Sequence, residues 1–411
     1  MAETGYDVAV VGASIAGCTV ATLFARAGAR VALLESHADP DAYKRSCTHM
    51  IQSSANPVLE RLGVADDLAA AGVRSAVAVW TQWGWIHDSA ARNGGRPAGV
   101  NLCVRRALLD PLLRRRAAET PGVDLMLGER VVGLVSDMGR AAGVESADAD
   151  GGRRRVVAKL VVGADGRGSA VAGFARMPRK LTPNSRVAYF AYYAGLERGE
   201  PRVWMRGTDF TYDYPCGDGL TLLAAFPSRR RLADYKRDPA AALAEAFTGL
   251  PDAPDVAGAE RVTPVQGRLD LENVVRPAAL PGLALVGDAA VASDPVVGVG
   301  CGWALQSAEW LVEETAQAVV DGGDVDAALK RYASRHHKTI GPHQSLIAQG
   351  SKGNLPSGVE RTMLSAAAKD DLVARRFHDY ATRNDGPRVF MGPRNVFRAV
   401  WVDAIRRRRS Q

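Results

Sequence analysis

The sequence predicts an α/β fold: a parallel sheet wound with helices and extended by a β-meander, a second domain on an antiparallel sheet, and C-terminal helices. Three observations predict it. The apolar run Tyr6–Val11 passes through a small-residue turn into an apolar, helix-like stretch, Ile15–Ala27, and then a second run, Arg30–Leu34, the pattern of a β-α-β unit with buried parallel strands. From Arg186 to about Arg276 the segments alternate and become aromatic, as in an antiparallel sheet with one covered face. The short run Leu283–Val286 then returns the chain to the first sheet, and helices follow.

The opening unit carries the sharpest signal. Gly12 permits a tight turn, Gly17 lets helix and strand pack closely, and the free N–H groups of the helix start suit a diphosphate. Ser14 stands where a middle glycine is expected, adding bulk but also a hydroxyl donor; Ile15 and Ala16 complete the turn. Gly28 closes the helix. Glu35 lies 23 positions after Gly12, where an acidic side chain accepts from ribose hydroxyls in a Rossmann-like unit.

A loop rich in Asp, His and Pro then reaches Cys47-Thr48-His49. Ser54 caps a helix through Leu62 that ends at Gly63. Ser75–His87 reads as one extended strand, Arg92–Gly99 as a turn and Val100–Val104 as the return. Arg106 opens a helix with Leu108, Leu109, Leu112 and Leu113, and residues 123–160 read as the meander. Val187–Tyr193, Val203–Tyr214 and Leu220–Phe226 are the strands of the second sheet, and residues 303–320 a helix. The division expected is a discontinuous nucleotide domain (1–74, 100–183 and 276–340), a substrate domain (75–99 and 184–275) and a C-terminal helical region (341–411).

Composition agrees with a large cytoplasmic enzyme. A chain of 411 residues exceeds one ordinary core, and 47% apolar content is ample for burial. The five cysteines have no C-x-x-C spacing, so neither a disulfide framework nor a zinc site is indicated, and most read as small buried hydrophobes. No leader is expected before a strand that begins near residue 6. The net charge of +7 is spread over short clusters, Arg114–Arg116, Arg153–Arg155 and Arg229–Arg231, read as solvated faces. No nucleic-acid motif accompanies them; an anionic substrate or cofactor suits the excess better.

Three segments together, Val10–Gly17, Val162–Arg167 and Val286–Ala290, resemble the FAD-dependent hydroxylase superfamily, the class A or para-hydroxybenzoate hydroxylase-like flavoprotein monooxygenases. The resemblance spans about residues 5–320. It implies FAD as cofactor. Gly287 and Asp288 would hold the ribityl chain, and Asp165 would lie near the pyrophosphate. Pro295, Gly298 and Gly300 would let backbone approach the flavin ring, with helical N–H groups after 300 facing its O2 edge. Arg106-Ala107-Leu108-Leu109-Asp110 matches the family's R-x-x-L-D helix start, and Arg45 sits where a second flavin-facing arginine is often placed. Val291, Gly302 and Ala304-Leu305-Gln306-Ser307 depart from the hydroxylase pattern toward flavin-dependent halogenases and geranylgeranyl reductases.

The resemblance further implies NAD(P)H as a transient reductant and O2 as co-substrate, reacting through a C4a-hydroperoxyflavin. The expected reaction is oxygenation of a medium-sized, aromatic or polyketide-like small molecule. The alternative is reduction or desaturation of a C=C bond. Halogenation is disfavoured, because no lysine occurs between Lys44 and Lys159. Such chemistry needs a water-excluding pocket, for which Trp83, Trp85, Tyr189, Tyr192, Tyr193, Trp204, Tyr212 and Tyr214 are the candidates. His49 and His87 are the candidate acid–base residues. His336, His337 and His343 form no metal pattern. In the tail, Val396, Phe397, Val400, Trp401 and Ala404 share a helical face before Arg406–Arg409. Docking onto the domain is preferred there to membrane contact by this basic helix.

Overall fold

The computed structural model describes residues 3–88, 99–196 and 199–409. Its first sheet runs, from one edge, Ala279–Leu280, Leu283–Leu285, Arg153–Gly163, Glu3–Val11, Val31–Glu35 and Val123–Leu127. The four pairings from Leu283–Leu285 to Val123–Leu127 are parallel. Strands Arg130–Asp137 and Arg140–Ala147 add the antiparallel meander beside Arg153–Gly163. Helix Ile15–Arg26 lies buried along most of its length, because it is sandwiched between this sheet and helices Arg106–Ala118 and Gly300–Asp321. Gly17 makes that packing possible: a Cβ there would collide with the carbonyl oxygen of Gly12.

The second sheet runs Glu260–Arg261, Ala188–Ala194, Leu220–Phe226, Asp209–Pro215, Arg202–Arg206, Ala78–Thr81, Gly84–Ile86. The stretch Ser75–His87 is therefore not one strand. It breaks into Val73–Ser75, in a small separate sheet, and the hairpin Ala78–Thr81/Gly84–Ile86. Likewise 203–214 folds as the hairpin Arg202–Arg206/Asp209–Pro215. Most of the expected turn Arg92–Gly99 lies outside the described residues.

Strand pleating divides this sheet into two faces. Val187, Tyr189, Ala191, Tyr193, Trp204, Leu223 and Ala225 point to one side, where Tyr235, Leu243 and Phe247 of a short helical layer cover them. Phe190, Val203, Tyr212, Tyr214, Leu222 and Phe226 point to the other, where Met363, Val373, Phe377, Ala399 and Val402 of the C-terminal helices meet them.

Helix Val325–Gly350 crosses the expected boundary at 340/341. It starts against the parallel sheet, with the Tyr332 hydroxyl donating to Leu285 O at 2.7 Å. It ends at Ser351, whose hydroxyl donates to Asp294 Oδ2 at 3.0 Å. The last helix, Pro393–Arg409, docks through Val396, Ala399 and Val402. Phe397, Val400 and Trp401 stay exposed, at 74%, 53% and 55%. No helix among the described residues is long and apolar enough to cross a membrane.

Candidate functional site

The carboxyl ends of the parallel strands open onto one cavity of about 990 Å³ that touches all three sequence motifs and continues to the antiparallel sheet. That volume is at the upper end of the roughly 300–1,000 Å³ usual for ligand sites.

At the first motif Gly12 has φ +100°, and a Cβ there would lie 2.7 Å from Ala164 O. Glu35 is buried at the strand end. Its Oε2 accepts from Ala13 N at 2.8 Å, and its Oε1 from His37 N at 2.9 Å. Ser14 Oγ accepts from Arg106 Nη2 at 2.7 Å, which leaves its own proton to donate into the cavity. Gly12, Ser14, Ile15, Ala16 and Glu35 all line that cavity; Gly17 does not, because it serves packing alone.

Arg106 is buried and held by Asp110, with Nε to Oδ1 at 2.7 Å and Nη2 to Oδ2 at 2.9 Å. Burial works against its charge, but Asp110 and the nearby sulfurs outweigh it and raise the pKa above the ordinary arginine value. Arg114 is a correction to the charge reading. Far from being a solvated face, it is buried and donates to the carbonyls of Ala13 at 3.2 Å and Ala42 at 3.0 Å. It pins the opening turn to the loop that borders it.

Asp165 lines the cavity too. Its Oδ2 accepts from Val171 N at 3.0 Å, while its Oδ1 is buried without a protein donor. Asp288 bonds Lys44 Nζ at 2.9 Å. Burial raises its carboxyl, but Lys44 overcomes this and holds the pKa below the usual carboxylate value. Gly287 supplies the turn at φ +56° rather than cavity surface. Arg45 is exposed and away from the cavity; its neighbour Lys44 is the cation that turns in. No periodicity marks which side chain of that loop faces inward.

Pro295, Gly298 and Gly300 line the far wall. The first N–H groups of helix Gly300–Asp321 have no intrahelical partner, and Gly300 and Cys301 face the cavity. Sequence reasoning missed the support of this wall. Asp294 is fully buried, ion-paired with Arg186, and accepts from Val296 N at 3.1 Å. The Tyr212 hydroxyl donates to Val296 O. Gln52 Nε2 donates to Val297 O at 3.1 Å and to Ala381 O at 2.8 Å.

The two candidate histidines do not reach this space. His49 is buried behind the wall, and its Nδ1 accepts from Arg106 N at 3.1 Å. Its Nε2–H then donates to the Tyr192 hydroxyl. His87 lies near Trp85, with ring centroids 5.6 Å apart, and does not line the cavity.

The aromatic candidates separate by pleat. Tyr189, Tyr193, Trp85 and Trp204 face the helical layer on the far side; Tyr189 stacks on Tyr235. Trp83, Tyr192, Tyr212 and Tyr214 face the C-terminal helices, but none of the four lines the cavity. The apolar end is lined instead by Met50, Ala188, Phe190, Phe226 and Leu271, with Arg268 beside them. The period of two along Ala188–Ala194 is the signal that would have found Phe190. Two further side chains that the sequence reading took as inert line the wall: Cys47 and Cys301, their sulfurs 3.8 Å apart.

A glycine cradle that a Cβ would fill, an orphaned acceptor at Asp165 and two helix starts opening on one crevice fit an FAD molecule. Comparisons with known proteins agree. Residues 5–190 match the family model described as FAD binding domain. Digeranylgeranylglycerophospholipid reductase 1 of Methanococcoides burtonii is 24% identical over 348 residues, covering 82% of this chain and 80% of that protein. Among solved structures, p-nitrophenol 4-monooxygenase PnpA from Pseudomonas putida DLL-E4 superposes with a TM-score of 0.77 at 20% identity, covering 94% of this chain and 100% of that one. The myxobacterial chondrochloren halogenase CndH superposes with a TM-score of 0.74 at 21% identity, covering 92% and 97%. These last two likenesses are of fold.

Proposed function

We propose that this chain, whose residues 5–190 match an FAD binding domain, is an FAD-dependent monooxygenase of a medium-sized, aromatic or polyketide-like small molecule, with NAD(P)H as transient reductant. One observation carries the reading: a single cavity joins the nucleotide crevice to an apolar pocket walled by Met50, Phe190, Phe226 and Leu271.

In this reading the turn at Gly12 and the start of helix Ile15–Arg26 hold the diphosphate. Glu35 accepts from the ribose, Ser14 and Arg106 face the phosphates, and Asp288 with Lys44 holds the ribityl chain. The backbone at Gly298 and Gly300 approaches the ring, where the opening N–H groups of the following helix stabilise negative charge on it. Bound and reduced, the flavin supplies electrons that activate O2. The protein's part is to orient the substrate carbon and keep water out. The C-terminal helices seal the sheet face beside the pocket, and Arg268 gives an anionic substituent a partner at its edge. His49 acts as a positioning residue. It ties the start of helix Arg106–Ala118 to Tyr192 of the second sheet.

A second reading, reduction of a C=C bond, is favoured by one observation. The histidine that lines the cavity, His37, stands beside Glu35 at the nucleotide end; no imidazole lines the apolar end among the described residues, so a base for deprotonating a phenol is not at hand there. The name of the Methanococcoides relative points the same way. One experiment separates the two. The holoenzyme is incubated with NADPH and a candidate aromatic or isoprenoid substrate, with and without O2, and the product is weighed. Oxygen-dependent gain of one oxygen atom supports the first reading. Anaerobic turnover with gain of two hydrogens overturns it in favour of the second.

A further inference from the structure

Four of the five cysteines meet in two sulfur–sulfur contacts, Cys47 with Cys301 at 3.8 Å and Cys103 with Cys216 at 3.6 Å. All are free thiols, and among the described residues no cluster of His, Cys, Asp or Glu could hold a metal. The two pairs sit in opposite surroundings. Cys103 and Cys216 are wholly buried at 0% exposure, packed among side chains of the second sheet. Cys47 is half-buried on the bordering loop, Cys301 opens helix Gly300–Asp321, and both line the cavity.

We propose that Cys47 and Cys301 form a peroxide-reactive dithiol in the cavity wall, which hydrogen peroxide converts to a disulfide while Cys103 and Cys216 stay reduced. Its chemistry is balanced. The Cys47 sulfur attacks one peroxide oxygen; the O–O bond breaks, and the leaving hydroxide departs as water with the Cys47 proton. The Cys301 sulfur then attacks the resulting sulfenic sulfur; the S–O bond breaks, and a second water leaves with the Cys301 proton. Two thiols are oxidised and one peroxide is reduced.

The roles follow from the surroundings. The Cys301 thiol donates to Cys47 and, against the opposing effect of burial, lowers the Cys47 pKa well below the ordinary thiol value. His49, whose amide lies 3.2 Å from the sulfur, and the Arg106 charge act in the same direction. Cys47 is therefore the attacking thiolate and Cys301 the resolving thiol. The hydrogen bond that Cys103 donates to Cys216 and burial both push Cys103 the other way, so the second pair is a built-in control. A flavoprotein whose reduced cofactor meets O2 without substrate releases peroxide into this same space.

The test uses the full-length holoenzyme, reduced and freed of excess thiol, treated with one molar equivalent of hydrogen peroxide without NADPH. Peroxide is added directly, so the result does not depend on which reaction the enzyme catalyses. Alkylation after denaturation, followed by peptide mass analysis, is expected to show loss of two hydrogens and a peptide cross-linked through Cys47 and Cys301. Cys18, Cys103 and Cys216 should still be alkylated. In Cys301→Ser, a sulfenic-acid trap should label Cys47. A wild-type protein in which Cys47 and Cys301 both remain alkylatable, or in which Cys103 and Cys216 cross-link first, overturns the proposal without recourse to any variant.

Discussion

Arg106 and Asp110 form a buried ion pair at the edge of the cavity, and the two sides of that pair are unequal in consequence. Arg106→Ala strands a carboxylate away from water, so urea unfolding should show a loss of about 3–5 kcal/mol. The double variant Arg106→Met with Asp110→Leu should recover much of it, because no unpaired charge remains. Asp288→Ala should purify without yellow colour, since Asp288 is the acceptor assigned to the ribityl chain; a variant with full flavin occupancy would refute that role. Lys44 holds the Asp288 carboxyl below its ordinary pKa, so the ion pair's contribution is full above the unfolded value of about 3.9 and is lost as pH falls through the lower folded value. Glu35, Ser14 and Asp288 were legible in the sequence because each sits at a fixed offset within a motif. Lys44 and Arg114 were not. One lies in a loop without periodicity, and the other in an arginine run where only the fold decides which member turns inward.

At the level of elements, alternation along strands was readable, but the direction of each face was not. Tyr189 and Tyr192 are three positions apart and so point to opposite sides of the sheet. The fingerprint turn was fully legible. Gly17→Ala places a methyl group inside the contact distance of Gly12 O, and overpacking of this kind costs roughly 1–3 kcal/mol or more. A fall in melting temperature together with loss of FAD is the expected result. The C-terminal helices carry a pH dependence of their own. His336, His343 and His378 are buried, and desolvation is the largest cause that lowers each to about 4. Between that value and the unfolded one of about 6.5 the unfolded chain binds protons that the native chain does not. Stability should therefore drop as pH falls from about 6.5 towards 4, measured as melting temperature against pH. His378→Gln should flatten the curve.

Across the whole molecule, the two-sheet plan and its discontinuous chain path were legible from where apolar runs and alternating segments fall. The C-terminal region was legible as helical but not in its role, because nothing in an amphipathic pattern names the surface it will meet. It meets the second sheet through Ala399 and Val402. Val402→Asp should destabilise the protein, whereas Phe397→Ser, at an exposed position, should leave stability within about 0.5 kcal/mol; thermal unfolding of both checks the docking direction. The loop Asp294–Gly298 ties distant parts of the chain together, since its braces come from Gln52, Arg186, Tyr212 and Ser351, and Gln52 is itself anchored at Ala381. A polypeptide cut short of Ala381 would keep all three signature motifs and still lack the carbonyl that anchors Gln52, leaving the coenzyme's berth one strut short. Trimming the protein at residue 380 should therefore bleach it with its fingerprint intact, which the visible absorbance of the purified protein checks.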